Sequence, residues 1–359
     1  MSIHFYPLRI KKINKETDLC VSVEFEIPES LSNSFQFTQG QSLTMRTNLA
    51  GEEVRRTYSL CSSPLDKKWN VAIKKVEGGL FSSFANDNLK EGDLLDVMEP
   101  VGKFYTELNT ANKKNYLAFA AGSGITPVIS IIKTTLRTEP NSTFTLVYGN
   151  RSRSSIIFFE ELEGLKNKFI DRFSFINILS RERTETPINF GRIDIGKLTE
   201  LEKLIDYKKM DDIFICGPEE MIFCVKNFLE QKDISEKKIH FELFTTSGQK
   251  KSKVKSEKSK IEEGPQSKIT VKVDGRSFDF DLSLNSDTTI LDAALKEGAD
   301  LPFACKGGMC CTCKAKLVEG EVEMDVHWGL EHEEVERGYI LTCQSHPKTE
   351  KVIVDFDIK

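Results

Sequence analysis

No run of 18 apolar residues occurs in this 359-residue sequence, so it offers no membrane-spanning helix. Residues 1–10 hold no basic segment leading into an apolar stretch, which argues against a secretory signal. With no export signal, a cytoplasmic location is expected. There the nine cysteines would serve as thiols, metal ligands or catalytic groups rather than as disulfides. Positive charge is not in surplus either: the formal net charge is −5. From residue 267 to 359, 11 Lys and Arg face 18 Asp and Glu, a net of −7. Nucleic acid is therefore excluded as the partner of that segment. No internal repeat is present, and the length exceeds what one hydrophobic core organises.

What is present divides into four parts. Residues 1–107 alternate in short segments, such as 19–27 and 69–76, separated by Gly, Asn and Pro turns. That pattern predicts an antiparallel β-barrel. Over residues 108–248 the pattern becomes strand–helix–strand: apolar runs at 116–121, 143–148, 173–179 and 212–216, with helical spacing over 127–136. This alternation predicts an α/β domain with a parallel sheet. Residues 249–266 contain two apolar side chains in eighteen and read as a flexible linker, spanning roughly 20–25 Å as a coil. Its basic run is a solvated tether rather than a membrane or nucleic-acid patch. Residues 267–359 suggest a small α+β domain of β-grasp type. A hairpin turns at Asp274-Gly275, a helix covers 290–296 and a closing strand covers 352–356.

Five of the nine cysteines lie between Cys305 and Cys343. Cys305-x4-Cys310-x2-Cys313, followed by Cys343 after a 29-residue gap, is the spacing of a plant-type [2Fe–2S] centre. A tight loop delivers three thiolates and a distant segment the fourth. Gly307 and Gly308 let the backbone close on the sulfides, where N–H donors tune the potential. A zinc ribbon would bring two C-x2-C pairs, and only one is present. A Rieske centre needs two histidines in ligand spacing, which His327, His332 and His346 do not supply. Cys311, the fifth thiol, is expected to pack as a small side chain.

Four further motifs precede the linker. Arg56-Thr57-Tyr58-Ser59 combines an aromatic ring suited to an isoalloxazine with a guanidinium suited to phosphate. Gly78-Gly79-Leu80-Phe81-Ser82 opens a helix whose free N–H groups suit a pyrophosphate. Gly122-Ser123-Gly124-Ile125-Thr126-Pro127 follows a buried strand and opens a helix. That is the setting of a dinucleotide loop, with Pro127 in place of the third glycine. Cys216-Gly217-Pro218 ends the last strong strand, where α/β proteins place ligands. Asn150, Arg151 and Arg153 after one strand, with Ser180 and Arg181 after the next, favour a ribose 2′-phosphate and hence NADPH.

Together these motifs resemble the ferredoxin–NADP reductase superfamily. The appended ferredoxin narrows the likeness to reductases that feed oxygenases. Tyr148-Gly-Asn-Arg151, the 305–313 loop, residues 320–326 and residues 341–347 resemble the reductase subunits of phenylacetyl-CoA epoxidases. The resemblance implies that Arg56, Tyr58 and Ser59 contact flavin, with Ile73, Lys74, Gly79, Leu80 and Ser82 along the rest of FAD. Gly122, Ser123, Gly124, Gly217 and Pro218 would hold the nicotinamide nucleotide, with Thr126 and Cys216 flanking its ring near flavin N5, and Ser59 counted with them as catalytic. The implied path runs from NADPH to FAD, to the [2Fe–2S] cluster, and on to oxygenase subunits met by the acidic ferredoxin face. A reductase for another oxygenase or hydroxylase is one alternative. A non-catalytic redox sensor is the other, though a sensor would not need the hydride path. A haem-linked reductase is disfavoured by the lack of a globin segment.

Overall fold

A computed structural model describes residues 4–244 and 265–358. These residues fall into two compact units, Tyr6–Phe244 and one built on residues 265–358. The tether expected over 249–266 lies outside the described residues except for its last two, and Gln266 already begins a strand. No helix among the described residues is long and apolar enough to cross a membrane.

The first unit opens with six antiparallel strands: β1 (Tyr6–Thr17), β2 (Cys20–Glu26), β3 (Ser42–Leu49), β4 (Glu52–Ser59), β5 (Trp69–Lys74) and β6 (Leu94–Val97). Their order is β4-β3-β6-β1-β2-β5, and a bridge from Leu60 to Val71 closes the sheet into the expected barrel. Leu8, Val23, Phe35, Leu43, Met45 and Val71 fill its interior. Helix α1 (Leu80–Asp87) lies between β5 and β6 and buries Phe81 and Ala85.

A five-stranded parallel sheet follows, made of β7 (Asn115–Ala121), β8 (Thr143–Asn150), β9 (Phe173–Leu179), β10 (Asp212–Gly217) and β11 (Ile239–Leu243). Helices α2 (Ile125–Thr138), α3 (Phe159–Lys168), α4 (Ile195–Leu201) and α5 (Glu219–Gln231) connect its strands. The order β11-β10-β7-β8-β9 reverses direction at β7, which makes the carboxyl ends of β7 and β10 the switch point where ligands bind. The helical spacing of α2 predicts one wet face, yet residues Ile125 to Leu136 are all buried. The barrel covers the polar side: Ser130 Oγ donates to the Ser62 carbonyl at 2.6 Å, and the Ser63 and Thr134 hydroxyls lie 2.9 Å apart. One apolar cluster joins Cys20, Cys61, Ala72 and Phe104 of the barrel to Ile125, Ile129 and Phe214 of the sheet domain. Barrel and sheet are therefore held in register, and the site between them is preset.

The second unit contains β12 (Gln266–Val273), β13 (Arg276–Ser283), α6 (Ile290–Lys296), β14 (Lys314–Glu319), β15 (Val322–Met324), α7 (His332–Glu336), β16 (Tyr339–Leu341), β17 (Ser345–Pro347) and β18 (Lys351–Asp355). Parallel β12 and β18 form the centre of a sheet ordered β13-β12-β18-β14-β16, on which α6 packs. The hairpin turn is the expected one. Asp274 and Gly275 both adopt positive φ, and both donate their N–H groups to the Asp357 carboxylate at 2.9 Å.

Candidate active site and metal centre

Arg56, Tyr58 and Ser59 stand at the carboxyl end of β4. Tyr58 lies with its ring centroid 5.7 Å from that of Phe81, tilted by 33°. Arg56 Nη1 donates to the Arg55 carbonyl at 2.7 Å, which anchors the guanidinium beside the strand. Ile73 is fully buried and Lys74 half-buried at the end of β5; burial holds the Lys74 ammonium below its usual range. A Cβ at Gly122 would sit 3.4 Å from Lys74 Nζ, so the barrel lysine reaches the nucleotide loop. Gly79 caps α1, and Ser82 Oγ accepts from the Val76 N–H at 3.1 Å while donating to the Gly79 carbonyl. Leu80, the first helical residue, is 52% exposed. These residues fit FAD: an aromatic face, fixed cations, and a helix N-terminus for phosphate.

Gly122, Ser123 and Gly124 form a single tight turn between β7 and α2. The Tyr148 hydroxyl donates to the Gly122 carbonyl at 2.8 Å and the Thr126 hydroxyl to that of Ser123 at 3.1 Å. A Cβ on Gly124 would lie 2.1 Å from the Cys216 carbonyl oxygen and 2.8 Å from the Gly217 nitrogen. Only glycine lets the two loops approach this closely. Pro218 caps α5 directly after them.

Cys216 is fully buried, and burial pushes its thiol well up, reinforced by the Glu242 carboxylate. Sequence reasoning missed Glu242. It lies on β11 in register with Cys216, and its Oε2 accepts from Ser59 Oγ at 3.3 Å. Ser59, Gly124, Cys216 and Glu242 thus converge from four separate segments. Farther out, the Ser180 N–H donates to the Asn150 carbonyl and the Arg181 N–H to that of Arg151, at 2.9 and 2.8 Å. The Arg153 guanidinium stacks 4.7 Å from the centre of the Phe159 ring. Its backbone N–H donates to Glu182, an acid within the basic group.

In the second unit the four thiols act on one another in two pairs, Cys305 with Cys310 and Cys313 with Cys343. N–H groups of Gly307 and Cys310 reach Cys305 Sγ at 3.3 and 3.5 Å, and the Cys305 N–H reaches Cys310 Sγ at 3.5 Å. The Cys310 thiol and these amides bring the Cys305 thiol down to about 6. Gly308 has φ +76°, and a Cβ there would strike Val326 at 2.7 Å.

Among the described residues no three His, Cys, Asp or Glu side chains close on one metal ion. Two pairs of thiols fit two irons with two thiolates each better than a single tetrahedral zinc. His332 pairs with Glu336 and His346 with Asp325. Cys311 donates to the Gly329 carbonyl at 2.6 Å, in keeping with a packing role.

Family models match three stretches: an oxidoreductase FAD-binding domain over residues 8–105, an oxidoreductase NAD-binding domain over 119–227, and a 2Fe-2S iron-sulfur cluster binding domain over 271–348. A component of the 1,2-phenylacetyl-CoA epoxidase of Escherichia coli (strain K12) is 43% identical over 99% of this chain and 98% of its own. The 3-ketosteroid-9-alpha-monooxygenase, ferredoxin reductase component, of Rhodococcus rhodochrous is 32% identical over 97% of this chain and 96% of its own. The solved structure of phthalate dioxygenase reductase superposes with a TM-score of 0.60 over 98% of each chain, at 24% identity.

Proposed function

Since the chain belongs to the ferredoxin–NADP reductase family, we propose that it takes electrons from NADPH and delivers them to a phenylacetyl-CoA epoxidase. Its general activity follows from its three matched domains: it is an electron-transfer oxidoreductase with FAD, nicotinamide and [2Fe–2S] sites. One observation carries the chemistry, the convergence of Ser59, Gly124, Cys216 and Glu242 at the barrel–sheet switch point. Whole-length identity of 43% carries the choice of acceptor.

Bound FAD supplies the conversion of two-electron to one-electron transfer, and the cluster supplies a one-electron outlet at about −400 mV. The residues of the chain do the rest. Thr126 and the neutral, buried Cys216 thiol would flank the nicotinamide ring and keep water from it. Ser59 donates to Glu242 Oε2, which would hold the Ser59 hydroxyl in one orientation beside the flavin. Arg56, Lys74 and the N-terminus of α1 hold phosphates. Cys305, Cys310, Cys313 and Cys343 hold the cluster. The cytosol is the proposed compartment.

NADPH is preferred because Arg151, Arg153 and Arg181 gather on two adjacent loops beside Ser180. Replacing Arg151 and Arg153 together by Ala is expected to raise KM for NADPH by about tenfold or more, with KM for NADH nearly unmoved. Steady-state kinetics with both nucleotides checks this, and equal losses would remove the 2′-phosphate assignment.

The acidic unit is proposed to dock on a basic face of the oxygenase. Reduction of purified epoxidase oxygenase subunits should slow as salt rises and the Debye length falls from about 30 Å at 0.01 M to about 8 Å at 0.15 M. The same assay, coupled to turnover of phenylacetyl-CoA, tests the acceptor. NADPH oxidation that reduces another oxygenase but not this one would favour the alternative partner.

A further inference from the structure

Gln344 follows the fourth cysteine directly and was given no role by its spacing. Its side chain is half-buried. The Nε2 group donates to the Lys306 carbonyl at 3.0 Å, one residue beyond Cys305, and to the Cys343 carbonyl at 2.8 Å. With two hydrogens for three acceptors, one is shared, and Cys343 Sγ takes its longer arm, 3.7 Å from the nitrogen in donor geometry. The backbone of Gln344 is fixed as well. Its N–H donates to the Leu341 carbonyl, and its carbonyl accepts from the Asp325 N–H, both at 2.9 Å. Gly308 leaves room for it, since a Cβ there would approach Gln344 Cγ to 3.2 Å. One carboxamide therefore spans the loop bearing Cys305 and the turn bearing Cys343.

We infer that Gln344 is a positioning residue that joins the two halves of the cluster site and raises the cluster's reduction potential through its N–H dipole. The inference rests on the [2Fe–2S] reading of the four cysteines. Taking up one electron makes the four-thiolate site one charge more negative. An N–H aimed at a thiolate stabilises that added charge more than it stabilises the oxidised form, so losing the donor favours oxidation. The carboxamide reaches both sides only at its full length, so shortening it should release the Cys305 loop even where the amide survives.

The test is the midpoint potential of the cluster in the full chain, read by electron paramagnetic resonance in a dye-equilibrated titration. Gln344→Met keeps length and shape but donates nothing. Its reduction constant is expected to fall by about tenfold, which is 59 mV for one electron. Gln344→Asn should release iron to a chelator faster than the parent, because the shorter amide cannot span to Lys306. A Met variant whose potential equals the parent's overturns the inference. If the Met variant takes up no cluster, Gln344→Leu, which also removes the donor without adding charge, decides. An unchanged potential there overturns the inference, and a lowered one supports it. A parent chain with no [2Fe–2S] signal on reduction would instead overturn the reading on which the inference rests.

Discussion

Cys343→Ala (C343A) abolishes the iron–sulfur absorption and stops electron delivery to protein acceptors, while NADPH still reduces ferricyanide through the flavin. Cys343 is buried and paired with Cys313, so its loss removes one of two thiolates from one iron. Outer-shell partners alone are worth about 10–100-fold in metal affinity. Losing a ligand is therefore expected to cut cytochrome c reduction by at least about a hundredfold. The unit itself should remain folded. Its apolar core is built on Ile269, Val271, Ile290, Leu291, Leu301 and Val352, none of which is substituted. Absorption spectra, iron content and the two acceptor assays check the result. A variant that keeps its cluster would remove Cys343 from the ligand set.

The second large effect comes from a single methyl group. Gly124→Ala places a Cβ 2.1 Å from the carbonyl oxygen and 2.4 Å from the carbonyl carbon of Cys216. Both are backbone atoms of β10 and cannot swing aside. Either the start of α2 or the end of β10 must move, and a misplacement of about 1 Å at a reacting centre costs about 10²-fold in rate. NADPH–ferricyanide turnover should fall by that order, with FAD retained because Arg56, Tyr58 and Ser59 lie on other segments. Overpacking should also cost about 1–3 kcal/mol of stability, read as a lower Tm. Gly164→Ala is the control. It lies within α3 with nothing inside 4 Å of its new Cβ, and should gain about 0.5–1 kcal/mol.

Much of this was legible in the sequence because it is local. The cysteine loop, the Gly122–Gly124 turn and the Asp274-Gly275 hairpin each depend on residues within ten positions of one another. Their spacing, or their need for positive φ or close approach, shows directly. Glu242 was not legible. It sits on a five-residue edge strand with three half-buried positions, too short and too wet to register as a strand after 212–216. Its significance comes from parallel pairing with β10, a long-range fact. The buried polar face of α2 was hidden for the same reason: Ser130 and Thr134 look solvent-facing until the barrel is docked on them. Gln344 could have been suspected from its position beside a ligand, but its reach to Lys306 depends on how the 305–310 loop folds.

The most direct measurement of the central claim is anaerobic stopped-flow mixing of the full chain with NADPH, following flavin and iron–sulfur absorbance together. The flavin band should bleach first and the iron–sulfur band after it, with the second phase missing in C343A. An iron–sulfur band that bleaches without prior loss of the flavin band, or NADPH that reduces neither group, would contradict the proposed order of transfer.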